Sequence, residues 1–193
     1  MNIGILNIQG DVFEHYSMIK KLSKKFNINP ITVNNAKTLS NLDGLIIPGG
    51  ESTVIYKFLL QNDIYDRITE MANEGMGIMG TCAGAIILAK NTNDDRVKEM
   101  NLINMDIKRN AYGRQINSFI QKIEIKNVGN FDAVFIRAPE IENVHDADIL
   151  AEYNNNPVIV KNNKRNKNII AMTFHPELTG NTKVHEFFIN NLK

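Results

Sequence analysis

The chain lacks the features that would place it outside the cell or within a membrane. It has 193 residues with one cysteine and no tryptophan. A single thiol cannot form an intramolecular disulfide, and it fits a reducing compartment. No apolar run approaches the roughly 20 residues that a membrane-spanning helix needs. The first residues, 1–6, lack the basic start and long apolar stretch of a secretory signal. We therefore expect a cytoplasmic protein.

The chain also lacks an excess of charge of either sign. Lys and Arg number 22 against 21 Asp and Glu, for a formal charge of +1. This balance gives no reason to expect attraction to nucleic acid or to an anionic membrane surface. Hydrophobic residues make up 43% and charged residues 22%, as in ordinary globular proteins. With no Pro- or Gly-rich linker, the length favours a single domain over residues 1–193.

What is present is a regular alternation of short apolar runs and segments of helical spacing. Over the first ninety residues the predicted strands are 3–8, 31–33, 44–47 and 76–79, and the predicted helices are 12–26, 53–61, 65–73 and 83–90. Further strands are predicted at 103–107, 119–125, 133–136, 149–153, 158–161 and 169–174, followed by a helix at 183–192. Such alternation predicts an α/β fold with a parallel sheet and helices on both faces.

The single cysteine lies in the segment Gly80-Thr81-Cys82-Ala83-Gly84. A G-x-C-x-G pattern between a strand and a helix has the form of a nucleophile elbow, in which the central residue is strained and its glycine neighbours avoid collision. The N-terminus of the following helix would favour a thiolate, and the Ala83 N–H could help to hold an oxyanion. The alternative is a buried structural cysteine, which this segment alone does not exclude.

A second candidate group closes the last predicted strand, in the segment Phe174-His175-Pro176-Glu177. Residues two apart in an extended segment point the same way. We therefore expect Glu177 to accept from one imidazole nitrogen of His175 while the other nitrogen faces the thiol, as in a catalytic triad. The alternative is a solvated pair at the end of a strand. The occurrence of an elbow cysteine in the same chain favours the triad.

A glycine turn follows another predicted strand, in the segment Pro48-Gly49-Gly50-Glu51-Ser52-Thr53. Two glycines between a strand and a helix permit a sharp turn with exposed amides. Such a turn could supply the second donor of an oxyanion hole. The alternatives are a plain loop or a phosphate-binding turn, although the spacing of a phosphate loop is missing.

Together these segments resemble triad-type glutamine amidotransferases, and most closely the glutaminase subunits of pyridoxal 5′-phosphate synthase. The resemblance covers nearly the whole chain. The segments that carry it are 6–11 (LNIQGD), 48–53 (PGGEST), 80–84 (GTCAG), 109–115 (RNAYGRQ), 135–139 (FIRAP) and 174–179 (FHPELT).

The resemblance implies a three-layer, flavodoxin-like α/β fold and hydrolysis of L-glutamine to glutamate and ammonia. Cys82 would form a glutamyl thioester, with His175, oriented by Glu177, as the acid and base, and with the Gly50 and Ala83 amides as the oxyanion hole. Arginine suits an α-carboxylate and glutamate an ammonium group. The implied glutamine contacts are Gly49, Gly50, Glu51, Arg109, Ile136 and Arg137. Without the resemblance, the two arginines would be taken for ordinary surface charge.

The resemblance also implies a partner, a barrel-shaped synthase subunit that receives ammonia within a hetero-oligomer and builds pyridoxal phosphate. Gln9, after the first strand, is a candidate for sensing that subunit. No cofactor or metal is expected in this chain. Three alternatives stay open: a glutaminase feeding another synthase, such as that of imidazole glycerol phosphate; a cysteine-elbow peptidase or deglycase; and a non-catalytic subunit that keeps the fold.

Overall fold

The computed structural model describes residues 1–109, 118–163 and 168–192. Most of the predicted motif at 109–115 therefore lies outside the described residues, apart from Arg109. The strands are β1 (Asn2–Leu6), β2 (Asn29–Val33), β3 (Gly44–Ile47), β4 (Gly77–Thr81), β5 (Asn91–Thr92), β6 (Met105–Lys108), β7 (Ser118–Ile125), β8 (Gly129–Ile136), β9 (Glu140–Val144), β10 (Ala147–Tyr153), β11 (Asn156–Asn162) and β12 (Ile169–Met172). The helices are α1 (Val12–Phe26), α2 (Ala36–Leu39), α3 (Ser52–Gln61), α4 (Tyr65–Glu74), α5 (Ala83–Leu88) and α6 (Lys183–Asn190), with a 3₁₀ turn at Pro176–Leu178.

The centre of the fold is a seven-stranded sheet in the order β10-β11-β12-β4-β3-β1-β2. The five strands from β12 to β2 pair in parallel, and β10 and β11 extend the sheet as antiparallel strands. The middle strands are apolar throughout because both of their faces are covered, as parallel sheets require. The predicted class, a mostly parallel sheet flanked by helices, is confirmed.

Alternate side chains of the middle strands contribute to two separate cores. On β3, Leu45 and Ile47 pack on one face with α3, α4 and α5, while Ile46 packs on the other with α1 and α6. This division follows from the two-residue period of a strand. The sheet therefore forms the middle of three layers.

Two smaller sheets lie beside the central one. β7 and β8 form an antiparallel hairpin, and β5, β6 and β9 form a three-stranded sheet. The hairpin is tied to the central layer where the His175 N–H donates to the Val134 carbonyl at 2.8 Å. This contact brings the end of β8 next to the loop after β12.

Most predicted elements are confirmed, with shifts at their ends. The helix predicted at 83–90 ends at Leu88, and the strand predicted at 103–107 begins at Met105. Three short elements were missed: α2, β5 and β9. Each is five residues or fewer, which is too short for a periodic pattern. No helix within the described ranges is long and apolar enough to cross a membrane.

We expect Ile46→Ala to lower the free energy of unfolding by about 2 to 5 kcal/mol, because the side chain is fully buried and the neighbouring strands cannot close the cavity. Urea denaturation followed by circular dichroism measures the change. Ile120→Ala is the matched control, since Ile120 is 69% exposed. Equal losses in the two variants would contradict the assigned core.

Candidate active site

The candidate site lies where four neighbouring parallel strands end. Loops follow β12, β4, β3 and β1 at the same edge of the sheet, which is where α/β proteins bind ligands. They surround a pocket of about 580 Å³. Its lining comprises Gln9, Gly10, Asp11, Gly50, Glu51, Ser52, Cys82, Ala83, Ile86, Arg109, Ile136, Arg137, Pro139 and His175. Of the predicted site residues, only Gly49 and Glu177 are missing from this lining, and both lie directly behind it.

Cys82 occupies the predicted elbow between β4 and α5. Its φ of 48° and ψ of −103° are a conformation that non-glycine residues rarely adopt. A side chain on Gly84 would collide with the Ile47 carbonyl, and one on Gly80 would meet the Gly84 backbone at 2.8 Å. The Cys82 N–H donates to the Met172 carbonyl at 2.8 Å, which holds the turn against β12. The predicted elbow geometry is confirmed.

The thiol faces two groups across the pocket. Cys82 Sγ lies 3.9 Å from the carbonyl oxygen of Ile136, and the thiol is near enough to the His175 ring to raise the pKa of that ring. The first contact places the end of β8 over the sulfur. The second couples the thiol to a titratable ring, so Cys82 is more than a core residue.

His175 and Glu177 are in contact, although not for the predicted reason. His175 Nδ1 lies 2.8 Å from Glu177 Oε1. The expectation of an extended segment was wrong, because β12 ends at Met172 and Pro176–Leu178 forms a 3₁₀ turn. The tight turn, begun by a proline whose φ is already suitable, brings the carboxylate back to the ring. Both residues are only 3% exposed, which excludes a solvated pair.

A second carboxylate shares the same ring nitrogen. Asp11 Oδ2 lies 2.9 Å from His175 Nδ1, and Asp11 belongs to the loop between β1 and α1. Asp11 was not among the predicted site residues. Its position after β1, at the same sheet edge as the other loops, was the available signal.

These contacts determine the protonation of the site. Burial opposes a charge on His175, but hydrogen bonds to Asp11, Cys82 and Glu177 outweigh it and raise its pKa to about 12. Burial raises the pKa of Glu177 to about 6, against the lowering effect of His175. The hydrogen bond to His175 lowers the pKa of Asp11. The resting site thus holds a protonated ring between acidic groups.

Asp11, His175 and Glu177 offer potential ligand atoms within 4.8 Å of one another, close enough to hold a metal ion. A metal would require the lone pair of the His175 nitrogen. In this structure His175 Nδ1 lies at hydrogen-bond distance from both carboxylates, 2.9 Å from Asp11 Oδ2 and 2.8 Å from Glu177 Oε1, and we assign the group to hydrogen bonding.

The glycine turn after β3 lies against the ring of His175. A side chain on Gly49 would collide with Cε1 of His175, so only glycine permits the ring to lie there. Gly50 has a φ of +140°, and a Cβ on it would lie 3.2 Å from Gln9 Nε2. Ala83 begins α5, and the first N–H groups of a helix have no intrahelical acceptor. Gly50 and Ala83 therefore border the pocket with backbone amides.

Two of the three charged residues predicted to bind glutamine, Arg109 and Glu51, are paired with each other. The Arg109 guanidinium contacts Glu51 through Nη2 and Asp94 through Nη1. Asp94 also pairs with Arg96 at 2.7 Å. The role of Asp94 was not predicted, and nothing in its local sequence marks it. Arg137, with a φ of 42°, and Ile136 line the pocket as expected.

Fold and site place the chain among α/β proteins that carry a cysteine at a strand-to-helix elbow, next to a histidine and its carboxylates. More specifically, the chain belongs to the SNO glutamine amidotransferase family, whose profile matches residues 5–193. The resemblance to glutamine amidotransferases drawn from the sequence is confirmed.

Individual relatives agree over almost the full length. The pyridoxal 5′-phosphate synthase subunit PdxT of Thermoplasma acidophilum is 53% identical over 194 residues, covering 100% of this chain and 94% of the relative. That of Thermoplasma volcanium is 51% identical over 191 residues, covering 98% and 94%. A solved structure described as a glutamine amidotransferase superposes with a TM-score of 0.90 at 36% identity, covering 98% of both chains.

We expect Asp11→Asn to lower the pKa of His175 by about one to three pH units, because one of its two anionic partners is lost. The Cε1 proton of His175, followed by NMR during a pH titration, reports the change. Asp132→Asn, on the exposed part of β8, is the control. An unchanged His175 titration in Asp11→Asn would show that Asp11 does not stabilise the imidazolium.

Proposed function

We propose that the chain hydrolyses L-glutamine to glutamate and ammonia through Cys82, His175 and Glu177, and that the ammonia passes to a pyridoxal 5′-phosphate synthase subunit. The observation that carries this proposal is that Cys82, at its strained elbow, and His175 line the same pocket, with His175 Nδ1 lying 2.8 Å from the buried Glu177 carboxylate. The family and the names of the close relatives support it.

In the first half of the reaction the Cys82 thiolate attacks the side-chain amide carbon of glutamine. A carbon–sulfur bond forms and the carbonyl electrons move to oxygen, where the Gly50 and Ala83 amides hold the negative charge. The carbon–nitrogen bond then breaks as His175 gives its proton to the leaving nitrogen, and ammonia departs. The product on the protein is a glutamyl thioester.

In the second half, water replaces the sulfur. His175, now neutral, takes a proton from water as its oxygen attacks the thioester carbon, and the carbon–sulfur bond breaks to release glutamate and restore the thiolate. Glu177 keeps the ring oriented through Nδ1 in both halves. Asp11 adds a second acceptor at the same nitrogen.

The pair of Arg109 and Glu51 suits the other end of the substrate. A free α-amino acid carries a carboxylate for Arg109 and an ammonium for Glu51, so it can enter between them and replace one ion pair with two. Asp94 continues to hold the guanidinium in place. An internal residue of a peptide lacks both charges, so this arrangement disfavours the peptidase alternative.

Coupling to a partner follows from the chemistry of the product. Free ammonia is largely protonated at neutral pH and is then no longer a nucleophile, so it is best consumed along a protected path. The partner would be the barrel-shaped synthase subunit in a hetero-oligomer, joining ammonia to a pentose phosphate and a triose phosphate. Gln9, next to Gly50 at the pocket rim, would sense its docking. A single domain, residues 1–193, would perform the hydrolysis in the cytoplasm, where a free catalytic thiol stays reduced.

We expect Cys82→Ala to abolish glutamate release from L-glutamine, measured with the synthase subunit present, while the fold survives because the change removes only one sulfur atom. Transfer is followed with glutamine labelled at the amide nitrogen, whose label should appear in pyridoxal phosphate. Undiminished turnover in the variant would end the triad proposal. Turnover of the unmodified protein that does not change when the synthase subunit is added would indicate a different partner.

We expect Arg109→Ala to raise KM for glutamine by roughly 10- to 100-fold, with a smaller effect on kcat, because it removes a charged contact to the substrate α-carboxylate. Steady-state kinetics with glutamine and with its decarboxylated analogue should show the defect only for glutamine. Arg96→Ala is the matched control, since Arg96 pairs with the same Asp94 outside the pocket lining. A defect of equal size with both substrates would contradict this role.

A further inference from the structure

Three buried polar side chains lie behind Glu177 and take no part in the proposed reaction. His15 comes from α1, Thr81 ends β4, and His185 comes from α6. All three are 0% exposed. A buried polar group is costly unless it is hydrogen-bonded, so an apolar core would have been the simpler solution here.

The three side chains connect to the far side of the Glu177 carboxylate. His15 Nδ1 lies 3.0 Å from His185 Nε2, and His15 Nε2 lies 3.2 Å from Thr81 Oγ1. The same Nε2 is 3.3 Å from Glu177 Oε2. Among the described residues, none donates a hydrogen bond of regular geometry to Oε2. The polar atom beside Oε2 is His15 Nε2, which lies between Thr81 Oγ1 and Glu177 Oε2.

The donor and acceptor roles in this series of hydrogen bonds follow from one atom, His185 Nδ1. His185 Nδ1 is buried and has no hydrogen-bond partner among the residues that the structure describes. A buried N–H without an acceptor is rarer than an acceptor without a donor. His185 therefore carries its proton on Nε2 and donates it to His15 Nδ1.

The tautomer of His15 is then determined as well. A neutral imidazole whose Nδ1 accepts must carry its proton on Nε2, the atom that faces Glu177 and Thr81. Both rings stay neutral: burial lowers the pKa of His185 to about 3, and burial together with the positive charge of His175 lowers the pKa of His15 well below its usual value. The reverse arrangement, with a protonated Glu177 donating to His15, would leave an orphaned N–H on His185.

We propose that His15 is a positioning residue of the glutaminase site: its Nε2–H stabilises the ionised Glu177 at Oε2, and His185 determines the tautomer that makes this possible. The proposal rests on the proposed function, in which Glu177 orients His175. Glu177 thus has the His175 ring at Oε1, at 2.8 Å, and the positive end of the His15 Nε2–H dipole 3.3 Å from Oε2. Both favour the ionised form that the relay requires.

The surroundings of Glu177 give this donor a task. The groups that face it are His175, which favours its charge, and Asp11, whose negative charge opposes it, besides His15. Burial already raises its pKa to about 6, close to neutral pH. Loss of the His15 donor raises it further, so that hydrolysis is lost at a higher pH on the acid side.

Three substitutions of His15 separate its two nitrogens. His15→Gln keeps a donor near the Nε2 position, His15→Asn keeps a polar group only near Nδ1, and His15→Leu keeps neither. We measure kcat/KM for glutamine as a function of pH. The acid limb of this profile should lie about one pH unit higher in the Leu and Asn variants than in the unmodified chain, and at its original pH in the Gln variant. His145→Gln is the control, because His145 is exposed and lies beside Asp106 of the three-stranded sheet.

A second measurement does not depend on glutaminase activity. A long-range proton–nitrogen NMR spectrum of the unmodified chain should show His15 and His185 neutral, with both protons on Nε2. A proton on His15 Nδ1 would overturn the proposal, as would equal acid limbs in all three His15 variants. If the unmodified protein released no glutamate, the proposed function would fail. The NMR result would still decide which nitrogens of His15 and His185 carry the protons.

Discussion

The close approach of β3 to the start of α5 is the constraint on which the site depends. Gly84 lies so near the Ile47 carbonyl that a side chain there would have no room. This approach lets the chain turn sharply at Cys82, and the strained φ of 48° is maintained by the packed strands on either side. The same closeness places the turn after β3 against the ring of His175, where only Gly49 fits. Cys82, the His175 ring and the backbone of Gly50 are thus positioned by backbone packing rather than by flexible side chains.

A second constraint is the burial of charge around His175. One imidazole nitrogen is shared by two carboxylates at 2.8 and 2.9 Å, in a place with little access to water. Such a group is tolerated only because its members pair with one another and with the thiol. Behind it, the two further buried histidines extend the polar chain into the layer formed by α1 and α6. The helices on this face therefore contribute buried polar side chains behind Glu177 as well as apolar side chains to the core.

The amino-acid sequence was informative wherever a local pattern carries the function. The glycines around Cys82, the glycine pair at Gly49 and Gly50, and the close spacing of His175 and Glu177 each predicted a site element that the structure brings together. The reason given for the last pair was wrong, because a strand was assumed where a 3₁₀ turn forms. The pairing survives this error because both geometries bring a residue two positions away back towards the ring.

Local patterns do not carry the contacts made between distant segments. Asp11 and Asp94 look like ordinary loop acids, and His15 and His185 look like polar positions on amphipathic helices. Asp11 and His175 are 164 residues apart, His15 and Glu177 are 162 apart, and His15 and His185 are 170 apart. Asp94 and Arg109 are 15 residues apart and follow different strands. By itself, the sequence determined most of the strands and helices, the elbow, the glycine turn after β3 and the family. Only the tertiary structure decided which carboxylates face His175 and which side chains lie behind Glu177, because those distances depend on the packing of whole elements against one sheet.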